Sequence, residues 1–272
     1  MALAPDLAVV PKTEPTPQPV PISTGPGWTT AQCLAFRFAF VYLVLYILPF
    51  PINTLDSLLT NLREIVMGEA PDPGQRSLIS RYVTGPYRDF WDEAVLRIGR
   101  AGFGVEIEYR PAGSGDTTWN YVQVFAFAVI AAALTVLWTL AVWAWRRRRR
   151  SRPGHPHLHE WLRVYVRFYL AQMMIVYGSV KVIKLQFSYP RPDALLHTYG
   201  ESSPMHLLWT FMGASDGYTW FAGAGEMLAG LLLCTRRTTL LGALVGFGVM
   251  THIVALNFCY DVRVKLFSSP IC

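Results

Sequence analysis

The chain has 272 residues, 52% hydrophobic and 15% charged, with a formal net charge of +6. A charged fraction this far below the ~25% of soluble domains excludes an ordinary soluble globule. The basic excess does not mark a nucleic-acid binder: six arginines crowd into positions 146–152 beside an apolar run, whereas segment 53–119 holds seven basic and ten acidic residues and is net negative.

Residues 1–27 carry seven prolines and little apolar periodicity, and positions 1–32 read as a disordered cytoplasmic tail. No basic region opens the chain, so a cleavable signal peptide is not indicated and the first span directs insertion.

Five membrane spans are expected. The first is 33–52, with Arg37 near its inner end and Pro49 and Pro51 near its outer end. The second, 121–145, runs for 25 positions without a charged side chain and ends at Arg146–Arg150. Roughly 20 apolar residues cross ~30 Å of hydrocarbon as a helix. The third, 161–183, is less apolar, since it contains Arg163, Arg167, Gln172 and Lys181. The fourth is 217–235 and the fifth 239–260. Arginines in the connections 146–152 and 236–237 put both on the cytoplasmic side. The N-terminus is then inside, the C-terminus outside, and loops 53–119 and 184–216 outside.

The longer outer loop is expected to form a small α/β cap on the membrane bundle 120–272. Leu55, Leu58, Leu59, Leu62 and Ile65 have helical spacing, and Gly68 stands where a helix would stop. Residues 87–100 suggest a second helix, and Val105, Ile107 and Tyr109 alternate with Glu106 and Glu108 as a strand would. In the shorter loop, Pro192 and Asp193 open a short helix ending at Gly200. Ser203 and Pro204 form an N-cap and first-turn pair for another, with Gly213 as its stop. That second helix is too short to span and belongs in the interface or in a re-entrant segment.

Glu226 is the sharpest chemical signal. It lies about nine residues into the fourth span, hence ~14 Å deep. A carboxylate there is costly unless paired, protonated or hydrated. His252 lies thirteen residues into the fifth span from the inner side, or ~20 Å, at nearly the same depth. The two spans are antiparallel neighbours, so a Glu226–His252 contact is expected. It would be a catalytic proton site on one reading and a structural pair joining two helices on the other. Gly223, Gly225 and Gly230 around Glu226 favour close helix packing.

Tyr177, Lys181 and Lys184 share one face of the third span. The lysines either snorkel to the outer interface or bind an anionic substrate. Arg163 and Arg167, nearer the inner side, pair or snorkel. Asn257, Asp261 and Lys265, spaced by four, align if the fifth helix continues, as a structural cap or a binding site, and Asp261–Lys265 would be an i,i+4 ion pair. His155, His157 and His159 alternate, but Pro156 and the missing fourth ligand argue for a solvated loop rather than a metal site. None of Cys33, Cys234, Cys259 and Cys272 forms a CxxC pair, so no zinc or thioredoxin-like site is indicated; Cys259 and Cys272 share a side and could pair. No phosphate loop, Ser/His/Asp order or haem attachment motif is present, so no cofactor is evident from the residues.

Several stretches resemble the DoxX family of bacterial membrane proteins, most closely a subgroup of Bacteroidetes-type bacteria. They are GSGDTTWNYVQ (113–123), WLRVYVRFYLAQ (161–172), YGSVKVIKLQF (177–187), YGESSPMHLLWTFMGAS (199–215), GEMLAGLLLCTRRTTLLGALV (225–245) and LNFCYDVRVKLFSS (256–269). The resemblance implies an all-α bundle in a bacterial inner membrane. It also implies a subunit of a quinone-linked redox system, with quinone as cofactor and redox proteins as partners beside the lipid bilayer. Lys181, Lys184, Glu201, Trp209, Glu226, Asn257, Asp261 and Lys265 fall within the matching stretches, which brings Trp209 among the candidate ligand-binding residues. Members of the subgroup continue past the last stretch into another apolar helix, so a C-terminal truncation is expected here. The alternative function is a non-enzymatic scaffold or small-molecule transporter, although no inverted repeat is visible.

Overall fold

The computed structural model describes residues 28–67, 77–104, 107, 115–146 and 154–269. Helix α1 (Thr30–Ile47) starts where the Thr29 hydroxyl accepts a hydrogen bond from the Gln32 amide and the Gln32 side-chain oxygen accepts one from the Thr29 amide. It ends earlier than the expected 33–52 span. Pro49 and Pro51 have no amide hydrogen to continue the ladder, so the chain turns at residues 48–51 and restarts as α2 (Ile52–Met67). The expected tail at 1–27 lies outside the described residues.

The expected second cap helix is α3 (Gly85–Ile98), flanked by π-helical turns at Ser80–Thr84 and Gly99–Phe103. There is no strand among the described residues. Of the stretch expected as a strand, Val105, Glu106, Glu108 and Tyr109 lie outside the described residues; Ile107 packs with Val95 and Val122. The described part of the cap is therefore helical.

The remaining long helices are α4 (Thr118–Arg146), α5 (Pro156–Val182), α8 (Asp216–Cys234) and α9 (Thr239–Cys259). Between α5 and α8 lie α6 (Pro192–Leu196), a 3-10 turn at Tyr199–Glu201, and α7 (Pro204–Ala214). Ser203 caps α7 through the His206 amide, at 3.2 Å. Gly213 does not stop α7, which runs one residue further to the next cap, Ser215. The chain is described as far as the short α10 (Lys265–Ser268) and Ser269.

The long helices pack in the order α4, α1, α5, α8, α9. Small residues set the closest approach. A Cβ on Gly178 would meet the Gly223 carbonyl oxygen at 2.6 Å, and one on Gly230 would meet the Ala171 oxygen at 2.7 Å. Gly178 faces Gly223 and Ala171 faces Gly230, so α5 and α8 are antiparallel and touch backbone to backbone.

Among the described residues, three segments are long and apolar enough to cross a membrane: Thr30–Arg63, bent at its prolines, Thr118–Trp145 and Thr239–Cys259. The outer surface is apolar, with Phe125, Leu137, Phe168, Leu228, Leu244 and Phe247 all exposed. This supports a membrane protein, since water does not favour such a surface.

The end of α4, the start of α5, the connection holding Arg236 and Arg237, and the start of α1 lie at one end of the bundle. There Arg37 donates from Nε to His155 Nε2 (3.2 Å) and from a terminal nitrogen to Thr139 (2.7 Å), and lies over the Trp138 ring. His155 stacks on Phe36, a packing role rather than a loop in solvent.

Candidate functional site: a buried ion pair and an aromatic cavity

Glu226, halfway along α8, is 2% exposed. Its partner is Lys181 of α5, whose ammonium donates to Oε1 of the carboxylate. This corrects two expectations. Lys181 does not snorkel outward; it is buried, with its Cβ beside Gly223 of the seam. Glu226 does not meet His252, which is exposed on α9. α8 buries Glu226 toward α5, whereas the face it turns to α9 carries Ala229 beside Met250. The second carboxylate oxygen, Oε2, is buried without a hydrogen-bond partner among the described residues.

Tyr177 lies one turn before Lys181 on α5. Tyr177 also lines a cavity of about 640 Å³ at the end of the bundle opposite the arginines. The cavity has aromatic walls: Tyr46 from α1, Tyr87 and Trp91 from α3, Trp119 from α4, and Tyr169 and Tyr177 from α5. Polar groups reach it from α2 (Asn53, Asp56), α3 (Arg88) and α4 (Gln123). Its volume lies within the ~300–1,000 Å³ of small-molecule sites, and a few polar groups on aromatic walls are the usual composition of one. The sequence does not reveal this site, because its walls come from six helices, α1 to α5 and α10, whose order in space no local pattern encodes.

Two long-range ties hold the cavity's shape. The Tyr165 hydroxyl donates to the Phe50 carbonyl at 2.7 Å, pinning the bend between α1 and α2 to α5. The Asp116 carboxylate accepts from the Lys265 and Leu266 amides at 2.9 and 2.8 Å, capping α10 and fastening it to the start of α4. Val264 and Leu266 thereby become part of the cavity wall.

The other candidate residues are dispersed. Lys184 takes a left-handed backbone at the end of α5, with φ 57°, and its ammonium donates to Asp216 and to the Gly213 carbonyl, beneath the Tyr189 ring. Each of the two lysines thus already holds a carboxylate of this chain. Trp209 packs edge-on against Phe187 at 5.1 Å in an apolar cluster with Met212 and Val262. Asn257 donates to Ser268 at 3.0 Å. The fifth helix does not continue through Asp261, whose φ is 49°, yet Asp261 and Lys265 still form the expected ion pair, at 2.7 Å. Their bond and the lysine's charge hold the Asp261 carboxyl below its ordinary range. Arg163 pairs with Glu160 at 3.2 Å, and Arg167 donates to Thr239 at 3.3 Å. Cys33, Cys234 and Cys259 are free thiols; the expected partner of Cys259, Cys272, lies outside the described residues.

Fold and site together define a helical membrane bundle with a charge pair buried in its seam and an aromatic cavity at one end. Over 99 residues the chain is 36% identical to the "Uncharacterized protein YwoB" of Bacillus subtilis (strain 168), covering 36% of this chain and 62% of that protein. No protein-family model matches the chain. No solved structure matches it either.

Proposed function

We propose that this is a five-span, DoxX-like subunit of a quinone-linked redox system in a bacterial inner membrane, with its arginine-bearing end cytoplasmic. The family assignment rests on the stretches quoted from the sequence. Five spans are supported by exposed apolar residues on the two less apolar long helices: Val164, Phe168 and Val176 on α5, and Phe221, Leu228 and Leu231 on α8. The orientation is supported by the sequence, which places arginines in both connections, 146–152 and 236–237.

The observation that carries the redox reading is the Lys181–Glu226 pair, with its unpartnered Oε2, one helical turn from Tyr177 of the cavity wall. Two thiosulfate ions joined as tetrathionate release two electrons, and a quinone accepting them takes up two protons to become quinol. A buried carboxyl beside an ammonium can hold such a proton within the bundle. The test is quinone reduction by the purified protein with thiosulfate or sulfide as donor. Donor-dependent reduction that Glu226→Gln abolishes supports the reading; a folded wild type that reduces no quinone with either donor contradicts it.

The second reading is a scaffold or small-molecule transporter without redox chemistry. It is favoured by the mutual neutralisation of Lys181 and Glu226 inside the closest helix seam, where an ion pair also serves as helix glue.

A further inference from the structure

Helix α2 is built inside out. Its polar residues Asn53, Asp56 and Ser57 face the cavity, while Leu55, Leu58, Leu59, Leu62 and Val66 are 47–80% exposed on its other side. A helix at a water surface is oriented the opposite way. The cap packing expected for the leucine stripe is therefore not what forms. The exposed strip begins at the bend, with Leu48 and Ile52, and follows directly on α1, part of a segment long and apolar enough to cross a membrane. Hydrocarbon is the medium that satisfies such a face.

We propose that α2 lies in the bilayer as the wall between lipid and the cavity, and that the cavity takes from the membrane an amphiphile with a flat, hydrogen-bonding ring and an apolar tail. The seven aromatic side chains, Phe127 of α4 among them, offer stacking and edge contacts to a ring. Asn53, Arg88 and Gln123 offer donors to ring oxygens. Residues 48–49, at the bend between α1 and α2, line the cavity themselves, so the boundary with lipid is one short turn of chain there. This deepens the redox reading by giving its quinone a site, and rests on that reading only for the choice of probe.

The experiment is binding of decylubiquinone to the purified full chain without any electron donor, followed by quenching of tryptophan fluorescence. Ser57→Phe and Gln123→Phe intrude on the cavity from α2 and from α4. Each should weaken binding about tenfold or more while the melting temperature is kept, and a ring without the decyl tail should bind about tenfold more weakly than the parent. A nitroxide at Leu59→Cys, with the four native cysteines replaced, should be relaxed by oxygen dissolved in the bilayer rather than by a water-soluble nickel chelate. No decylubiquinone binding, unchanged affinity in both variants, equal affinity for the tailless ring, or a nickel-accessible label each overturns the proposal. Binding that meets these expectations in a protein that reduces no quinone leaves this site standing and removes the redox reading.

Discussion

Lys181 and Glu226 meet across the glycine seam of α5 and α8, and both are buried. Removing one partner strands the other charge in a low-dielectric interior, which costs about 3–5 kcal/mol, whereas replacing both with apolar residues is often near neutral. Glu226→Leu alone should therefore lower the melting temperature of the detergent-solubilised protein sharply, and Lys181→Met with Glu226→Leu should recover most of the loss. A double variant as unstable as the single one would mean that the ionic contact itself supplies the stability.

The seam predicts a contrast between glycines. Gly223→Ala places a methyl 2.7 Å from the Gly178 carbonyl oxygen and should cost about 1–3 kcal/mol as the helices are forced apart. Gly217→Ala, at the start of the same helix, meets nothing within 4 Å and should be neutral or slightly stabilising. Thermal melts of the two variants check this, and equal losses would contradict the packing described.

Asp116 ties α10 to a segment 149–150 residues earlier in the chain. Asp116→Ala should remove the α10 cap at a cost of about 1–2 kcal/mol. Its signature is local: the Lys265 and Leu266 amides, which donate to that carboxylate, should exchange hydrogen faster while amides of the α5–α8 seam do not.

The Asp261–Lys265 pair makes a pH prediction. Asp261 is held below its ordinary range by the Lys265 bond and charge. A depressed carboxyl stabilises the folded state above its unfolded value, and the contribution fades as pH falls through the lower folded one. Carbon-detected NMR should show Asp261 titrating below a free aspartate, and Lys265→Met should move it back up. An unmoved titration would dismiss the pair as its cause.

How much of this was legible in the sequence varied with range. Helix ends followed local chemistry: Ser203 and Pro204 open α7, and the prolines at 49 and 51 end α1. The long helices α4, α5, α8 and α9 fall within about five residues of the expected spans, because a long, mostly apolar run needs no partner to be recognised. Glu226 stood out for the same reason. Its partner does not stand out, because nothing local pairs α8 with α5, and Lys181 reaches it across 45 residues. Gly223 and Gly230 were read as a sign of close packing, and their partners Gly178 and Ala171 on α5 emerge only when the helices are paired. The leucine stripe of α2 was legible as a helix but not in its direction, since periodicity gives a face and not the medium it meets.

The most direct measurement of the central claim uses the variant that separates structure from chemistry. Lys181→Met with Glu226→Leu keeps the seam packed and removes the proton-holding group. Assayed for thiosulfate- or sulfide-dependent quinone reduction beside the wild type, it should remain folded and lose the activity. A folded double variant that reduces quinone at the wild-type rate would show that the buried pair only joins two helices.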